Sequence, residues 1–252
     1  MTKNAFITGN SSGLGEGLTQ TLLSQGYHVY GCSRRGCTLT GNIYDIKCDL
    51  TNFDSVTTAL DQLLENVDSL DLVILNAGIL GQLQNISDTS MDELQQIMDI
   101  NVWSNKFVLD WLLKSKISIK QIILMSSGAA VLGNKGWSGY ALSKATLNML
   151  GRLYAHEFTE THITSIAPGL INSKMMDYMC NEVDSDAFPA LKRIQRANIE
   201  GKVLSPTQAA DRIMEALPFL KNYESGSFID IRQILAPDEY AELMAARNMH
   251  SK

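Results

Sequence analysis

The chain has 252 residues, a formal charge of −6, 45% hydrophobic and 19% charged residues. That is enough chain to bury a core without disulfides or metal, and the acidic balance argues against a nucleic-acid partner. Four cysteines, Cys32, Cys37, Cys48 and Cys180, form no C-x-x-C pair, and His28, His156, His162 and His250 are scattered, so reduced thiols and no metal are expected.

The first residues lead straight into a short apolar stretch, too short for a signal peptide. No apolar run approaches the roughly 20 residues of a membrane span. A cytoplasmic protein with no membrane partner is expected.

Residues 3–8 (KNAFIT) read as a first strand. Thr8-Gly9-Asn10-Ser11-Ser12-Gly13-Leu14-Gly15 then opens a helix in which Leu14, Leu18, Leu22 and Leu23 share a face. Glycines here allow a sharp turn, and the helix N-terminus offers free N–H groups to a phosphate. The spacing differs from the G-x-G-x-x-G dinucleotide fingerprint, and a plain Gly/Ser turn is the competing reading. A second strand, 27–32, ends in Ser33-Arg34-Arg35. An acid there would hold the ribose hydroxyls of NAD; two guanidinium groups suit a 2′-phosphate instead and favour NADP(H). The alternative is a solvated arginine pair on a loop.

A third strand, 43–48, leads to Asp49 and Leu50. The Asp49 carboxylate is a candidate acceptor for an adenine amino group, or simply part of a helix start where Thr51 or Asn52 caps. Val56, Leu60, Leu63 and Leu64 mark the next helix, and strand 71–75 ends at Asn76-Ala77-Gly78. Small residues there leave room for a ring or sugar, and the Asn76 amide is placed to brace the central strands. One long helix is predicted over about 91–114, with Asn101 set among apolar residues.

Strand 121–125 precedes Ser127, and a helix over 138–157 carries Tyr140 and Lys144. Positions i and i+4 share a helix face, so phenol and ammonium point the same way. By itself that pair is weak. Strand 162–166 runs to Pro168-Gly169, a helix covers 206–217, and strand 226–231 follows. Residues 171–203 break the rhythm and suggest an insertion over the sheet's C-terminal edge, where such folds bind ligands. The alternation predicts an α/β protein with a parallel sheet and helices on both faces.

The ordered set Thr8-Gly9…Gly13-Leu14-Gly15, Asn76-Ala77-Gly78, Asn101, Ser127, Tyr140-x-x-x-Lys144 and Pro168-Gly169 resembles the short-chain dehydrogenase/reductase family, from residue 3 to about 232. The resemblance implies a single Rossmann-type, doubly wound domain over 1–252. Its sheet would be mostly parallel and seven-stranded, with 171–203 as a substrate lid. It implies Tyr140 as proton donor, Lys144 as its partner and holder of the nicotinamide ribose, and Ser127 as the group polarising the carbonyl. Asn101 would anchor a water that links Lys144 to solvent. Pro168, Gly169, Ile171 and Ser173 would lie against nicotinamide.

Three positions depart from the family pattern. Leu75 stands where many relatives have Asn, Ser173 where Thr is commoner, and Ser12 where NADP-preferring relatives have a basic residue. Short stretches, Asn76 to Leu80 with Leu83-Gln84-Asn85, and Trp137 to Tyr140, are similar to the sepiapterin reductase and benzil reductase branch. They imply reduction of a carbonyl next to another carbonyl.

Ile79, Leu80, Leu132, Trp137, Met175, Met176, Tyr178, Met179 and Phe188 are candidate pocket walls. Their types suggest an apolar or aromatic carbonyl substrate, or else simple packing of the lid. The family also implies a homodimer or homotetramer. A regulator or sensor that binds NADP(H) without catalysis is the rival reading, and a plain scaffold a third; retention of Asn101, Ser127, Tyr140 and Lys144 together favours an enzyme.

Overall fold

The computed structural model describes residues 3–249; His250 lies outside the described residues. The chain runs β1 (Lys3–Thr8), α1 (Gly13–Ser24), β2 (Tyr27–Ser33), β3 (Ile43–Lys47), α2 (Phe53–Leu63), β4 (Leu72–Leu75), α3 (Met91–Met98), α4 (Ser104–Lys114) and β5 (Gln121–Met125). It continues through α5 (Ala129–Leu132), α6 (Ser138–Ala155), β6 (His162–Ala167), α7 (Lys174–Asn181), α8 (Ala190–Ile199), α9 (Pro206–Leu220), β7 (Ser227–Asp230), α10 (Arg232–Leu235) and α11 (Pro237–Met249).

Seven strands form one sheet in the order β3-β2-β1-β4-β5-β6-β7. All the pairings are parallel, which gives a Rossmann-type α/β fold. The strand order reverses between β1 and β4, and a crevice at such a reversal is where ligands of these sheets bind.

The central strands carry apolar side chains on both faces because helices cover both. Phe6, Val73 and Ile122 pack towards Leu60, Leu109, Leu112 and Leu147 on one side. Their strand neighbours Ile7, Ile74 and Ile123 pack towards Leu18, Leu22, Ile213 and Leu217 on the other. Helix starts follow local chemistry. Asn52 accepts from Ser55 N–H before α2, Ser90 from Glu93 N–H before α3, and Ser205 with Gln208 closes a reciprocal cap before α9.

One expectation changes, and two segments that the sequence reading left without elements gain them. The helix expected over 91–114 is interrupted: Asp99–Trp103 is a π-helical turn between α3 and α4, and it carries Asn101. Such a turn holds one extra residue and often marks a functional site. The 171–203 insertion is helical, forming α7 and α8, whose Met176, Met179, Leu191 and Ile194 cluster with Leu80, Leu83 and Trp137 of the body. After β7 the chain forms α10 and α11, beyond where the strand and helix readings of the sequence stopped. Pro237 followed by Asp238 and Glu239 is a helix-start signal that would have located α11.

Thr8 pins β1 to β4 at the edge where the crevice opens. Its buried hydroxyl oxygen accepts from the N–H of Asn76 (3.0 Å) and of Ala77 (3.1 Å), while Asn76 Nδ2 donates to Thr8 O (3.1 Å). Thr8→Val keeps the shape and removes the acceptor, orphaning two N–H groups. The expected loss is about 2 kcal/mol or more, read as a lower urea midpoint with an unchanged slope; an unchanged midpoint would show that the clamp carries no stability.

Candidate active site

The turn between β1 and α1 is closed to side chains. A Cβ on Gly15 would lie 2.1 Å from Gly9 O and 2.6 Å from Asn76 Nδ2. Ser12 caps α1 by position, but its side chain accepts nothing from the helix. The first-turn N–H groups are therefore left for another acceptor. The Ser12 hydroxyl instead accepts from Arg35 Nη2 at 2.6 Å. The guanidinium thus reaches back to the very turn where the sequence lacks a basic residue.

A cavity of about 1180 Å³ runs from this turn across the sheet edge. Gly9, Ser11, Ser12, Gly13, Leu14 and Gly15 line one end, with Ser33, Arg34 and Arg35 beside them. Asp49 and Leu50, then Asn76, Ala77 and Gly78, continue the wall. Pro168, Gly169, Ile171 and Ser173 close it from β6. Every candidate cofactor residue therefore faces one space. Asp49 lines it with its carboxylate already engaged: Oδ1 accepts from Thr51 N–H (3.0 Å) and Thr51 Oγ1 (2.8 Å). These bonds, partly offset by desolvation, hold its pKa below the ordinary value, with the charge of Arg34 a smaller cause. Asp49 is thus part of a turn, and Asn52 is the cap of α2.

Ser127 follows β5 and Tyr140 sits in the first turn of α6, and both line the cavity with Lys144. Lys144 is 4% exposed. Its Nζ donates to Met125 O at 2.7 Å and lies 5.6 Å from the Tyr140 ring centroid. Burial disfavours the ammonium and brings its pKa down to about 8. Burial raises the Tyr140 phenol, and a hydrogen bond with Ser127 acts in the opposite direction. Gly78 makes room for this group: a Cβ there would lie 3.1 Å from Asn101 Oδ1 and 3.4 Å from Lys144 Nζ.

Asn101 stands behind the cavity, fully buried, and not on its wall. Oδ1 accepts from Ile79 N–H (2.8 Å), and Nδ2 donates to Ile79 O (2.9 Å) and Ser143 Oγ (2.9 Å). Its own carbonyl accepts from Asn105 Nδ2 (2.7 Å). Both amide protons are spent inside the protein. Asn101 thus fastens the segment after β4 to α6.

Among the candidate substrate walls, Leu80, Trp137, Met175 and Met176 line the cavity, as do Ile79, Leu132 and Met179. Tyr178 and Phe188 do not. Tyr178 Oη accepts from Leu83 N–H (3.2 Å), and Phe188 covers Gly136. The sequence reading missed a charged stretch of wall from α8 to α11, including Arg193, Arg196, Arg212, Arg232, Glu239 and Glu242. The spacing of Arg193, Arg196 and Glu200 on one helix face was the available signal.

The sequence profile described as short chain dehydrogenase matches residues 3–183. The chain belongs to that family. It is similar to a benzil reductase ((S)-benzoin forming) of Bacillus subtilis, 28% identical over 91% of this chain and 98% of the relative. A benzil reductase of Bacillus cereus is 30% identical over 84% and 92%. The crystal structure of the KRED1-Pglu enzyme shares the fold, with a TM-score of 0.77 and 24% identity over 90% of this chain and 100% of that one. The protein is thus an NAD(P)(H)-dependent oxidoreductase acting between C=O and CH–OH. The uncapped N-terminus of α1 and the tightly packed glycines of the turn before it fit the phosphates of a nicotinamide dinucleotide.

A buried lysine with a lowered pKa binds its proton less well folded than unfolded. Between about pH 8 and 10.5 the unfolded state holds more of that proton, so Lys144 makes stability rise with pH in that window. Relative to Lys144→Met, the cofactor-free protein should gain stability with a slope approaching about 1 kcal/mol per pH unit. Parallel urea-midpoint profiles for the two proteins would contradict the burial of that charge.

Proposed function

We infer that the protein reduces the carbonyl of a small apolar or aromatic ketone, α-diketone or aldehyde to the alcohol, using NADPH, with Tyr140 as proton donor. The observation that carries this reading is the convergence of Ser127, Tyr140 and Lys144 on one cavity that also reaches the uncapped N-terminus of α1. The similarity to two benzil reductases supports a carbonyl beside a second carbonyl.

When bound, the nicotinamide supplies the hydride. The Ser127 hydroxyl donates to the substrate oxygen and stabilises the negative charge that develops there. The Tyr140 hydroxyl gives that oxygen its proton. A free phenol has a pKa near 10, and burial moves Tyr140 higher still. The Lys144 ammonium favours the phenolate and so eases departure of the proton. Asn101 is a positioning residue, holding Ile79 and Ser143 on either side of the site. Arg34 and Arg35 would bind a 2′-phosphate, Leu50 would offer the adenine an apolar contact, and Pro168 to Ser173 would border the nicotinamide.

Residues 171–203 act as the lid of a single domain, bringing Met175 and Met176 over the substrate. A sensor without catalysis would not need Ser127, Tyr140 and Lys144 in one cleft. Leu142, Met149 and Leu153 form an exposed apolar stripe along α6. This stripe is the proposed contact with another copy, and sedimentation would give the copy number.

With benzil or 1-phenyl-1,2-propanedione and NADPH, Tyr140→Phe should lower kcat by at least about 100-fold while the NADPH Kd, titrated by cofactor fluorescence, moves less than about twofold. Near-normal turnover by the Phe variant would exclude Tyr140 as the donor. Arg34→Ala and Arg35→Ala should each raise the KM for NADPH at least about tenfold with little change for NADH. Equal effects on the two cofactors would sink the 2′-phosphate assignment.

A further inference from the structure

The cleft is electrostatically unlike the rest of the chain. Formal charge is −6 overall, yet basic side chains outnumber acidic ones along the cavity wall. Arg34 and Arg35 account for this at the turn before α1. The excess between α8 and the C-terminal helices has no such explanation.

Most cations there are already paired. Arg196 Nε lies 2.7 Å from Glu200 Oε1, and Lys202 Nζ lies 2.7 Å from Glu200 Oε2. Arg232 is held by Asp230, with Nε at 2.8 Å from Oδ1 and Nη2 at 2.5 Å from Oδ2, and Glu239 approaches Nη1 at 3.7 Å. Arg193 and Arg212 differ. Among the described residues neither has a carboxylate within ion-pair distance or a side-chain hydrogen bond. Arg193 projects from the same face of α8 as Arg196 and Ala197, with Glu200 just beyond, all on the cavity wall.

Its surroundings penalise its charge. Desolvation by the cleft pulls its pKa below the ordinary arginine value, and the positive charge of Arg232 adds to that. A guanidinium stays protonated regardless, and Arg193, exposed on the cleft wall, is open to a ligand. Arg232 is held by its own carboxylates, so the guanidinium that α8 offers to an anion on this wall is the unpaired one of Arg193. The adjoining wall is apolar, with Ile194, Met176, Met179 and Trp137.

We propose that the Arg193 end of the cleft is an anion subsite, and that the substrate is a carbonyl compound with an apolar body and a carboxylate bound by Arg193. This rests on the reductase reading above and narrows its substrate class to oxo acids. The carboxylate neutralises Arg193, while the apolar body spans the methionine and tryptophan wall towards Ser127 and Tyr140.

The test is a series of benzoyl-substituted acids, from benzoylformate through 3-benzoylpropionate to 5-benzoylpentanoate, each against its methyl ester, with NADPH. At the chain length that spans the cleft, the acid should exceed its ester about 10- to 100-fold in kcat/KM, mainly through KM. Arg193→Gln should collapse that acid-to-ester ratio to about one, Arg193→Lys should restore part of it, and Arg193→Glu should invert it.

Three results would overturn the proposal while leaving the reductase reading intact. One is that no acid is preferred at any length. Another is that Arg193→Gln leaves the ratio unchanged. The third is that Arg193→Gln raises the Kd of NADPH instead, which would make Arg193 a cofactor ligand. Failure of acids, esters and neutral diketones alike to be reduced would overturn the reductase reading and this proposal with it.

Discussion

The site is organised around one buried ammonium. Lys144 Nζ, almost without contact to solvent, donates to the carbonyl of Met125 at the end of a central strand. An uncompensated charge in such a place is costly, and the neighbouring chain is shaped to admit it. Gly78 presents no side chain where one would press on Asn101 Oδ1 and touch Nζ. Asn101 saturates the backbone of Ile79 and reaches Ser143, one residue before Lys144. The helix carrying Lys144 is thereby tied to β5 and to the segment after β4, and Tyr140, one turn earlier, inherits its position from that tie.

The parallel sheet makes this arrangement possible. Every strand ends at the same edge, so the ends of β1, β4, β5 and β6 deliver the phosphate turn, Gly78, Ser127 and Pro168 to a single cleft. The Thr8 hydroxyl holds two of those ends in register by accepting two backbone N–H groups. Basic side chains gather on the cleft wall in two groups, Arg34 and Arg35 by an uncapped helix terminus and Arg193, Arg212 and Arg232 from α8 to α10. The apolar methionines and Trp137 lie along the wall of the same cavity. A cleft with apolar walls and a few charged groups is the usual form of a small-molecule site.

Much of this was legible from residues alone. Strands with β-branched and aliphatic runs bounded by Gly, Asn or Ser lie within a residue or so of their expected limits, because burial on both faces leaves a continuous apolar signal. The motif residues were legible because their spacing relative to those strands is short. The π turn at Asn101 was not: it arises from where the Asn101 amide finds partners, in a loop 22 and a helix 42 residues away. Tyr178 and Phe188 looked like pocket residues by type, yet a hydrogen bond to Leu83 and contact with Gly136 turn them elsewhere.

The sequence by itself determined the alternation of strands and helices, the Gly-rich turn, the Tyr140 and Lys144 pair on one helix face, and the Ser33-Arg34-Arg35 end of β2. These depend on local periodicity and backbone freedom, which neighbouring residues encode. Tertiary structure alone decided that Lys144 is desolvated, that Asn101 is a clamp behind the cleft, that Arg35 returns to Ser12, and that Arg193 lies on the cavity wall without a carboxylate of its own. Those outcomes depend on distances between groups far apart in the chain, and only the packed sheet brings them within reach of one another.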